Sequence, residues 1–220
     1  PDILPNKDVT WETSEQLDLG FDTRFLGNRL GVSFDWYNKM TKDWLVQAPV
    51  LASYGTGAPY INGGDVRNRG FELALNWNDH IQDFTYGVNL NLSHNKNKVT
   101  RIANSEGIIH GASDVLSSGA SEMYRAQVGF PIGYFYGYKT LGIFQNEEQI
   151  VNYRGAKLAD TRPGDVIFED VDKNGEIDEN DRCEIGNPHP DFNLGFSLNF
   201  GWKGFDLSIT TSGAFGQQIA

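Results

Sequence analysis

The stretch Phe84–Ser93 reads FTYGVNLNLS and alternates apolar with polar residues at every position. In an extended chain its apolar residues fall on one face, and small polar residues such as Asn89 and Asn91 fall on the other. Strict alternation with a period of two predicts a strand that has one face in apolar surroundings. Its length also matters, because a tilted strand needs about 9–11 residues to cross a bilayer. The stretch is therefore a candidate membrane-spanning strand.

Five further segments repeat this pattern and, with the first, form three predicted hairpins. The turns inside the hairpins are short and contain Gly or Asn, which accept the positive φ that tight turns need. The turns are Leu26–Arg29, Asn78–Asp83 and Gly201–Gly204. The six predicted strands are Gln16–Phe25, Leu30–Tyr37, Phe71–Trp77, Phe84–Ser93, Phe192–Phe200 and Phe205–Phe215.

The residues on the two strand faces favour a transmembrane barrel over a soluble sandwich. The polar face is small and uncharged over long runs, as is typical of a wall that lines a wet lumen. Aromatic residues lie near strand ends on the apolar face, where transmembrane barrels carry aromatic girdles. An antiparallel sandwich with one face to water also fits the alternation. The aromatic residues concerned are Trp36, Trp77, Phe84, Tyr86 and Phe205.

The connections between hairpins are long, in contrast to the short turns within them. Asn38–Arg69 and His94–Asp191 separate the three hairpins. This asymmetry is typical of outer-membrane barrels, with short periplasmic turns and long extracellular loops. We predict an all-β fold, an antiparallel transmembrane β-barrel segment over residues 1–220, with a long extracellular loop region at 94–191. Six strands are too few to close a bacterial barrel, so the barrel is expected to be incomplete in this chain.

Composition excludes some classes of function. The chain has 220 residues and a formal net charge of −11, which argues against nucleic-acid binding because phosphate contacts need clustered cations. Cys183 is the single cysteine, so no internal disulfide forms. No apolar run is long enough for a transmembrane helix.

An acidic loop at 170–181 reads DVDKNGEIDEND and has the oxygen spacing of an EF-hand Ca²⁺ loop. Gly175 stands at the sixth position, where such a loop turns sharply, and the twelfth position is Asp instead of the usual Glu. We expect a structural Ca²⁺ site; an acidic turn that holds itself together without metal is the alternative. The predicted ligands are Asp170, Asp172, Asn174, the carbonyl of Glu176, Asp178 and Asp181.

Two other segments carry weaker signals. Gln127–Tyr138 alternates aromatic residues with glycines and predicts an extended strand that either stacks on a sugar or packs against neighbouring loops. Tyr54 and Tyr60 are also candidates for sugar stacking or for packing. Glu147–Tyr153 predicts a short surface helix.

Several motifs together resemble the late barrel of SusC/RagA-family TonB-dependent outer-membrane transporters. The similarity extends in order over essentially the whole chain. The motifs that carry it are Trp11–Gln16, Gly20–Asp22, Asp35–Lys39, Asn68–Glu72, Gln127–Gly133, Pro163–Asp165 and Ile185–Phe192.

The resemblance implies a single-chain barrel of about 22 strands with an internal plug. It implies import of a bulky nutrient, a glycan or a peptide, across the outer membrane of Bacteroidetes-type bacteria. A SusD-like surface lipoprotein would cover the mouth, and the TonB–ExbB–ExbD machinery would supply energy through parts of the protein outside this chain.

A different class of function is a secreted calcium-binding β-sandwich that binds glycans or acts as an adhesin. We expect no enzyme, because the sequence has neither a nucleophile elbow nor a phosphate-cradling glycine loop. Its four histidines share no metal-ligand spacing. They are His80, His94, His110 and His189.

Overall fold

The computed structural model describes residues 3, 5–47, 55–57, 59–115 and 117–219. Tyr54 lies outside the described residues. Among the described residues, no helix is long and apolar enough to span a membrane. The strands are β1 (Thr13–Phe25), β2 (Leu30–Gln47), β3 (Tyr60–Ile81), β4 (Phe84–Ile102), β5 (Ile108–His110), β6 (Tyr124–Gln127), β7 (Tyr134–Tyr138), β8 (Thr140–Ile143), β9 (Val166–Phe168), β10 (Arg182–Gly186), β11 (Phe192–Trp202) and β12 (Phe205–Phe215), with one α-helix, α1 (Glu147–Asn152).

The chain divides into two compact units. The first, here called the wall unit, comprises Pro1–Ile109, Ala126–Ile132 and His189–Gln218. The second, here called the loop unit, is built mainly from His110–Arg125 and Gly133–Pro188.

The wall unit is built on one antiparallel six-stranded sheet in the order β1-β2-β3-β4-β11-β12. The three predicted hairpins are confirmed, and they also pair with one another through β2–β3 and β4–β11. The tight turn between β11 and β12 has positive φ at both Lys203 and Gly204, as hairpin turns of this length require. The sheet therefore has the continuous up-and-down topology of a barrel wall.

Five of the six predicted strands are longer than the alternation of apolar residues predicts, and β2, β3 and β4 exceed it by nine or more residues. The predicted loop Asn38–Arg69 is wrong at both ends, because 38–47 belong to β2 and 60–69 belong to β3. Backbone pairing continues there, for example between Lys39 and Asn68, although apolar residues no longer alternate regularly with polar ones. The regular alternation of apolar residues stops in these stretches, but the backbone hydrogen bonds between the strands continue. A prediction from alternation alone therefore ends these strands too early. In the same way β4 runs to Ile102.

The apolar face of the sheet is exposed. Leu19 on β1 is 60% exposed and Phe205 on β12 is 73% exposed, and apolar residues of the inner strands, such as Leu73 and Leu90, are half-buried. A soluble sandwich would bury this face against a second sheet. A contiguous exposed apolar surface instead fits contact with lipid. The secreted sandwich alternative is therefore not the fold of this chain.

The buried core of the wall unit lies near the long-loop ends of β2, β3 and β4. A chain segment closes the free edge of β4 here, since β11 starts opposite His94 and leaves the rest of β4 unpaired on that side. Val99 donates its N–H to the Phe130 carbonyl at 2.8 Å, and Gly129 donates to the Val99 carbonyl at 2.9 Å. The buried residues are Trp44, Val66, Val99, Ile102 and Ala126.

In the loop unit β7 lies between β6 and β10, and β8 pairs with β9. The single strand predicted at Gln127–Tyr138 is wrong, because the chain turns between β6 and β7 with positive φ at Gly129 and Gly133. The predicted helix is confirmed as α1, and Asn146 caps it by accepting from Gln149 N–H at 2.8 Å. A small apolar core forms where Ile150 of α1 packs with Phe144 and Ile167, and Tyr153 packs against it.

Candidate functional site

The inward face of the wall carries many neutral polar side chains that hydrogen-bond to one another across strands. Asn89 donates to Ser197 at 3.2 Å. The amide oxygen of Asn68 accepts from Asn95 at 3.2 Å and from Asn97 at 2.8 Å. Such amides and hydroxyls offer both donors and acceptors to a hydrated solute.

An open groove of about 760 Å³ runs along this inward face. Asp35 and Glu72 stand directly opposite each other on β2 and β3 and bring two carboxylates to the groove. The remaining lining is small and uncharged, which leaves room for a bulky polar molecule beside the wall. The groove is further lined by Ser33, Ala74, Asn91, Ser93, Asn193, Gly195, Ser212 and Ala214, among others.

The outward face carries two rows of aromatic rings. In the upper row, at the long-loop end, the ring of His94 lies 5.7 Å from that of Phe71 and 4.9 Å from that of Phe192. In the lower row Phe84 lies 5.9 Å from Phe200. The upper row continues through Phe34 to Phe21, and Tyr86 extends the lower row.

The spacing of the two rows matches a lipid bilayer. His94 follows Phe84 by ten positions on β4. At about 3.3 Å per residue this is about 33 Å along the strand, or about 25 Å in height for a tilt of about 40°. Outer-membrane barrels show an apolar band about 25 Å tall between their aromatic girdles.

The acidic loop of the loop unit folds around its own carboxylates. Asp170 accepts from the N–H of Gly175 at 2.9 Å, and Gly175 has φ of 92°. Asp172 accepts from Asn174 N–H at 3.0 Å, and the side chain of Asn174 accepts from Glu176 N–H at 2.8 Å. The chain thus makes the sharp turn that the sequence predicts at Gly175.

Asp181 ends the loop and is fully buried. Its two carboxylate oxygens accept from the N–H groups of Asp178 and Val171, each at 2.8 Å. The backbone hydrogen bond from Asp178 is the largest of the effects that lower the pKa of the Asp181 carboxyl, so Asp181 remains ionised.

The structure brings three of the predicted ligands together. One carboxylate oxygen from each of Asp170, Asp172 and Asp181 lies within 4.8 Å of the others. Among the described residues, no Lys or Arg forms an ion pair with these three carboxylates. Asp178 instead accepts from Asn180 N–H at 2.7 Å and caps the short 3₁₀ turn Glu179–Asp181. A set of oxygens without a balancing cation has the chemistry that Ca²⁺ prefers.

A second polar cluster in the loop unit was not predicted from the sequence. Glu122 is largely buried, forms an ion pair with Arg125 and accepts from Gly111 N–H at 2.9 Å. The guanidinium carbon of Arg125 lies 3.3 Å from the ring centroid of Tyr136, and that of Arg182 lies 4.7 Å away. Glu122 and Arg125 are only three positions apart, but Tyr136 and Arg182 join them only in the fold, so the sequence carries no signal for the cluster.

Glu122 is also 2.9 Å from the Nδ1 atom of His110. Burial raises the pKa of the Glu122 carboxyl, but the hydrogen bonds from His110 and Arg125 outweigh this effect and leave the pKa below its usual value. The carboxylate therefore stays charged and holds the cluster together.

A continuous antiparallel sheet with a lipid-facing apolar side and a hydrated polar side defines the wall of a transmembrane β-barrel. The family model described as TonB dependent receptor-like, beta-barrel matches residues 2–215. The chain belongs to this family. It is thus a segment of an outer-membrane barrel, and the family comprises receptors and transporters rather than enzymes.

The relatives agree with this assignment. TonB-dependent receptor P3 of Formosa agariphila is 36% identical over 97% of this chain, and TonB-dependent receptor SusC of Bacteroides thetaiotaomicron is 26% identical over 93%. The RagAB peptide transporter structure superposes with a TM-score of 0.76 at 20% identity, with 97% of this chain and 22% of that chain covered. The chain spans about a fifth of the length of the curated relatives it matches.

Proposed function

We propose that this chain forms part of the barrel wall of an active importer that carries a bulky polar nutrient, an oligosaccharide or a peptide, across the outer membrane. The hydrogen-bonding inward face is the observation that carries the proposal, because a hydrated lining rich in amides and hydroxyls suits large polar cargo. The similarity to SusC and to the fold of the RagAB peptide transporter supports it.

The proposed importer works with two kinds of partner. A SusD-like surface lipoprotein covers the barrel mouth, and the 94–191 region contributes to that contact. TonB–ExbB–ExbD drives transport through parts of the protein outside this chain. The support for both partners is the similarity to SusC, a TonB-dependent receptor.

The test uses cells that produce the complete protein with an affinity tag. Removal of the gene should abolish growth on the cognate oligosaccharide or peptide, and a strain that lacks TonB should fail in the same way. Deletion of Ser105–Ser121 should reduce capture of the surface lipoprotein while the level of barrel in the outer membrane is unchanged. Normal growth without the protein would contradict the importer.

The acidic loop is proposed to bind Ca²⁺ through Asp170, Asp172, Asn174, the Glu176 carbonyl, Asp178 and Asp181. The convergence of three carboxylates that have no ion-pair partner among the described residues supports this proposal. The ion would neutralise their mutual repulsion and brace the loop, which would lower the entropy lost when the loop contacts a partner.

A calcium titration of the purified complete protein tests this site. The double variant Asp172→Asn/Asp178→Asn should lose the calcium-dependent rise in melting temperature. The control Glu176→Gln/Glu179→Gln removes the same charge from the same loop, but the proposed site uses only the backbone of Glu176. Equal loss in both pairs would show nonspecific charge screening instead of a site.

A further inference from the structure

Four cations gather on the outward face of the wall, at the long-loop end of the sheet. Arg69 pairs in register with Lys96, and Arg67 pairs with Lys98. All four side chains lie on the same face of the sheet as Phe71. Side chains alternate between faces along a strand, and Arg67 and Arg69 lie an even number of positions from Phe71. Lys96 and Lys98 lie an even number of positions from His94, the residue that pairs with Phe71. They line one surface pocket of about 140 Å³.

The four cations lack internal counter-charges. Within the described parts of the chain, none of them has a carboxylate at ion-pair distance. Lys42, on the same face nearby, differs in this respect, because its Nζ lies 2.5 Å from Glu15. Four close like charges repel one another, so an external anion bound among them would stabilise the cluster.

The height of the cluster relative to the aromatic rows identifies the kind of anion. Lys96 and Lys98 follow His94 by two and four positions on β4. They therefore lie about 7–13 Å further along the strand, or about 5–10 Å higher in a tilted barrel. The polar headgroup layer of a bilayer begins at the edge of the hydrocarbon core and is about 5–8 Å thick on each side.

We propose that Arg67, Arg69, Lys96 and Lys98 bind the phosphate of an anionic lipid headgroup in the outer leaflet. The upper aromatic row directly below would contact the acyl chains of the same lipid, which favours a lipid over a free anion. The site faces away from the lumen, so it does not contact cargo. The assignment to the outer leaflet rests on the orientation expected from loop length, with the long loops outside the cell.

The test measures binding of the complete protein, in detergent, to two kinds of vesicle: phosphatidylcholine alone, and phosphatidylcholine with phosphatidic acid. Each interfacial cation contributes on the order of fivefold to binding of an anionic surface. The variant Lys96→Gln/Lys98→Gln should therefore bind the anionic vesicles about 30-fold more weakly than wild type. Lys96→Arg/Lys98→Arg should bind as wild type does, which separates charge from folding.

The matched control is Arg24→Gln/Lys39→Gln, which removes two cations from the inward face of the same sheet and should leave vesicle binding unchanged. Equal weakening in the control, or equal binding by the Gln and Arg variants, would overturn the proposal. Competition by millimolar inorganic phosphate would also overturn it, because the site would then take free anions. Loss of nutrient uptake with normal vesicle binding would refute the importer and leave the lipid site standing.

Discussion

At the scale of single residues, the charged cluster around Glu122 shows how a loop region can hold a fixed shape. Glu122 and Arg125 each have about a tenth of their side chain exposed. The ring of Tyr136 covers the guanidinium of Arg125, and Arg182 also donates to the Glu122 carbonyl, at 2.5 Å. Removal of one member leaves a buried charge without its partner, which is far more costly than loss of a surface pair.

We predict that Glu122→Ala lowers the free energy of unfolding of the loop unit by about 3 kcal/mol. The exposed pair Lys139–Glu169, with Nζ and carboxylate oxygen 2.6 Å apart, supplies the control, and Lys139→Ala should cost less than about 1 kcal/mol. Hydrogen exchange of the backbone amides of Arg125 and Tyr136 in the complete protein measures both. Similar protection of these amides from exchange in the two variants would show that the Glu122 cluster contributes little to the stability of the loop unit.

The lowered pKa of Glu122 predicts that the stability of the loop unit depends on pH. The pKa of Glu122 is lower in the folded protein than in the unfolded chain. The stability that its carboxylate adds to the fold is therefore fully present above about pH 4.3, and it is lost as the pH falls through the folded-state pKa. Protection of the Tyr136 amide should fall in this acidic window in wild type and much less in Glu122→Ala. A wild-type profile that is flat below pH 5 would contradict the assignment.

At the scale of elements, close approach of two strands requires glycine at one point of the wall. A Cβ at residue 70 on β3 would collide with the carbonyl oxygen of His94 on β4. Gly70→Ala should therefore destabilise the barrel by about 1–3 kcal/mol. Gly195→Ala is the control, because a Cβ there would lie 3.8 Å from the nearest atom of Asn91, an ordinary contact. Urea unfolding of the complete barrel in lipid vesicles gives both values, and equal costs would argue against a close approach of β3 and β4 at this point.

The two faces of β4 give a second prediction at this scale. Leu90 lies between the aromatic rows on the outward face, and Asn91 lies on the inward face. Leu90→Arg should cost about 2–4 kcal/mol at the membrane midplane, whereas Asn91→Arg should be much milder. The same vesicle unfolding assay measures both. A larger cost at Asn91 would mean that the faces have been assigned the wrong way round.

A comparison of the elements shows which parts of the fold can be predicted from the sequence and which cannot. Alternation in Phe84–Ser93 predicts a strand because each apolar residue needs the same environment. Beyond Ser93 the regular alternation on β4 ends, and the strand continues through backbone pairing with β3, which leaves no periodic pattern in the sequence. The acidic loop was visible because its oxygens are close in sequence. The Glu122 cluster was not, because Arg182 lies sixty positions away and the contact exists only in the fold.

At the scale of the whole molecule, loop lengths set the expected orientation in the membrane. Short turns, such as the one at Asp83, should face the periplasm, and the connection that contains Ser105 should face the medium. In a Cys183→Ser background, an impermeant maleimide added to intact cells should label Ser105→Cys and spare Asp83→Cys. Labelling of Asp83→Cys alone would invert the orientation.

Residues 129–132 pair with the free edge of β4, and this pairing slows their motion. Gly129 and Phe130 lie in a connection between strands, yet their backbone groups bond to Val99, which is fully buried. Ile132 is held in the same way, with its N–H 2.8 Å from the amide oxygen of Asn97. These bonds hold the segment to the edge of β4, so the amides of Gly129 and Ile132 should exchange more slowly than exposed amides that have no such partner. Exposed stretches of the connection that make no hydrogen bond to the wall are therefore expected to rearrange many times before residues 129–132 open once.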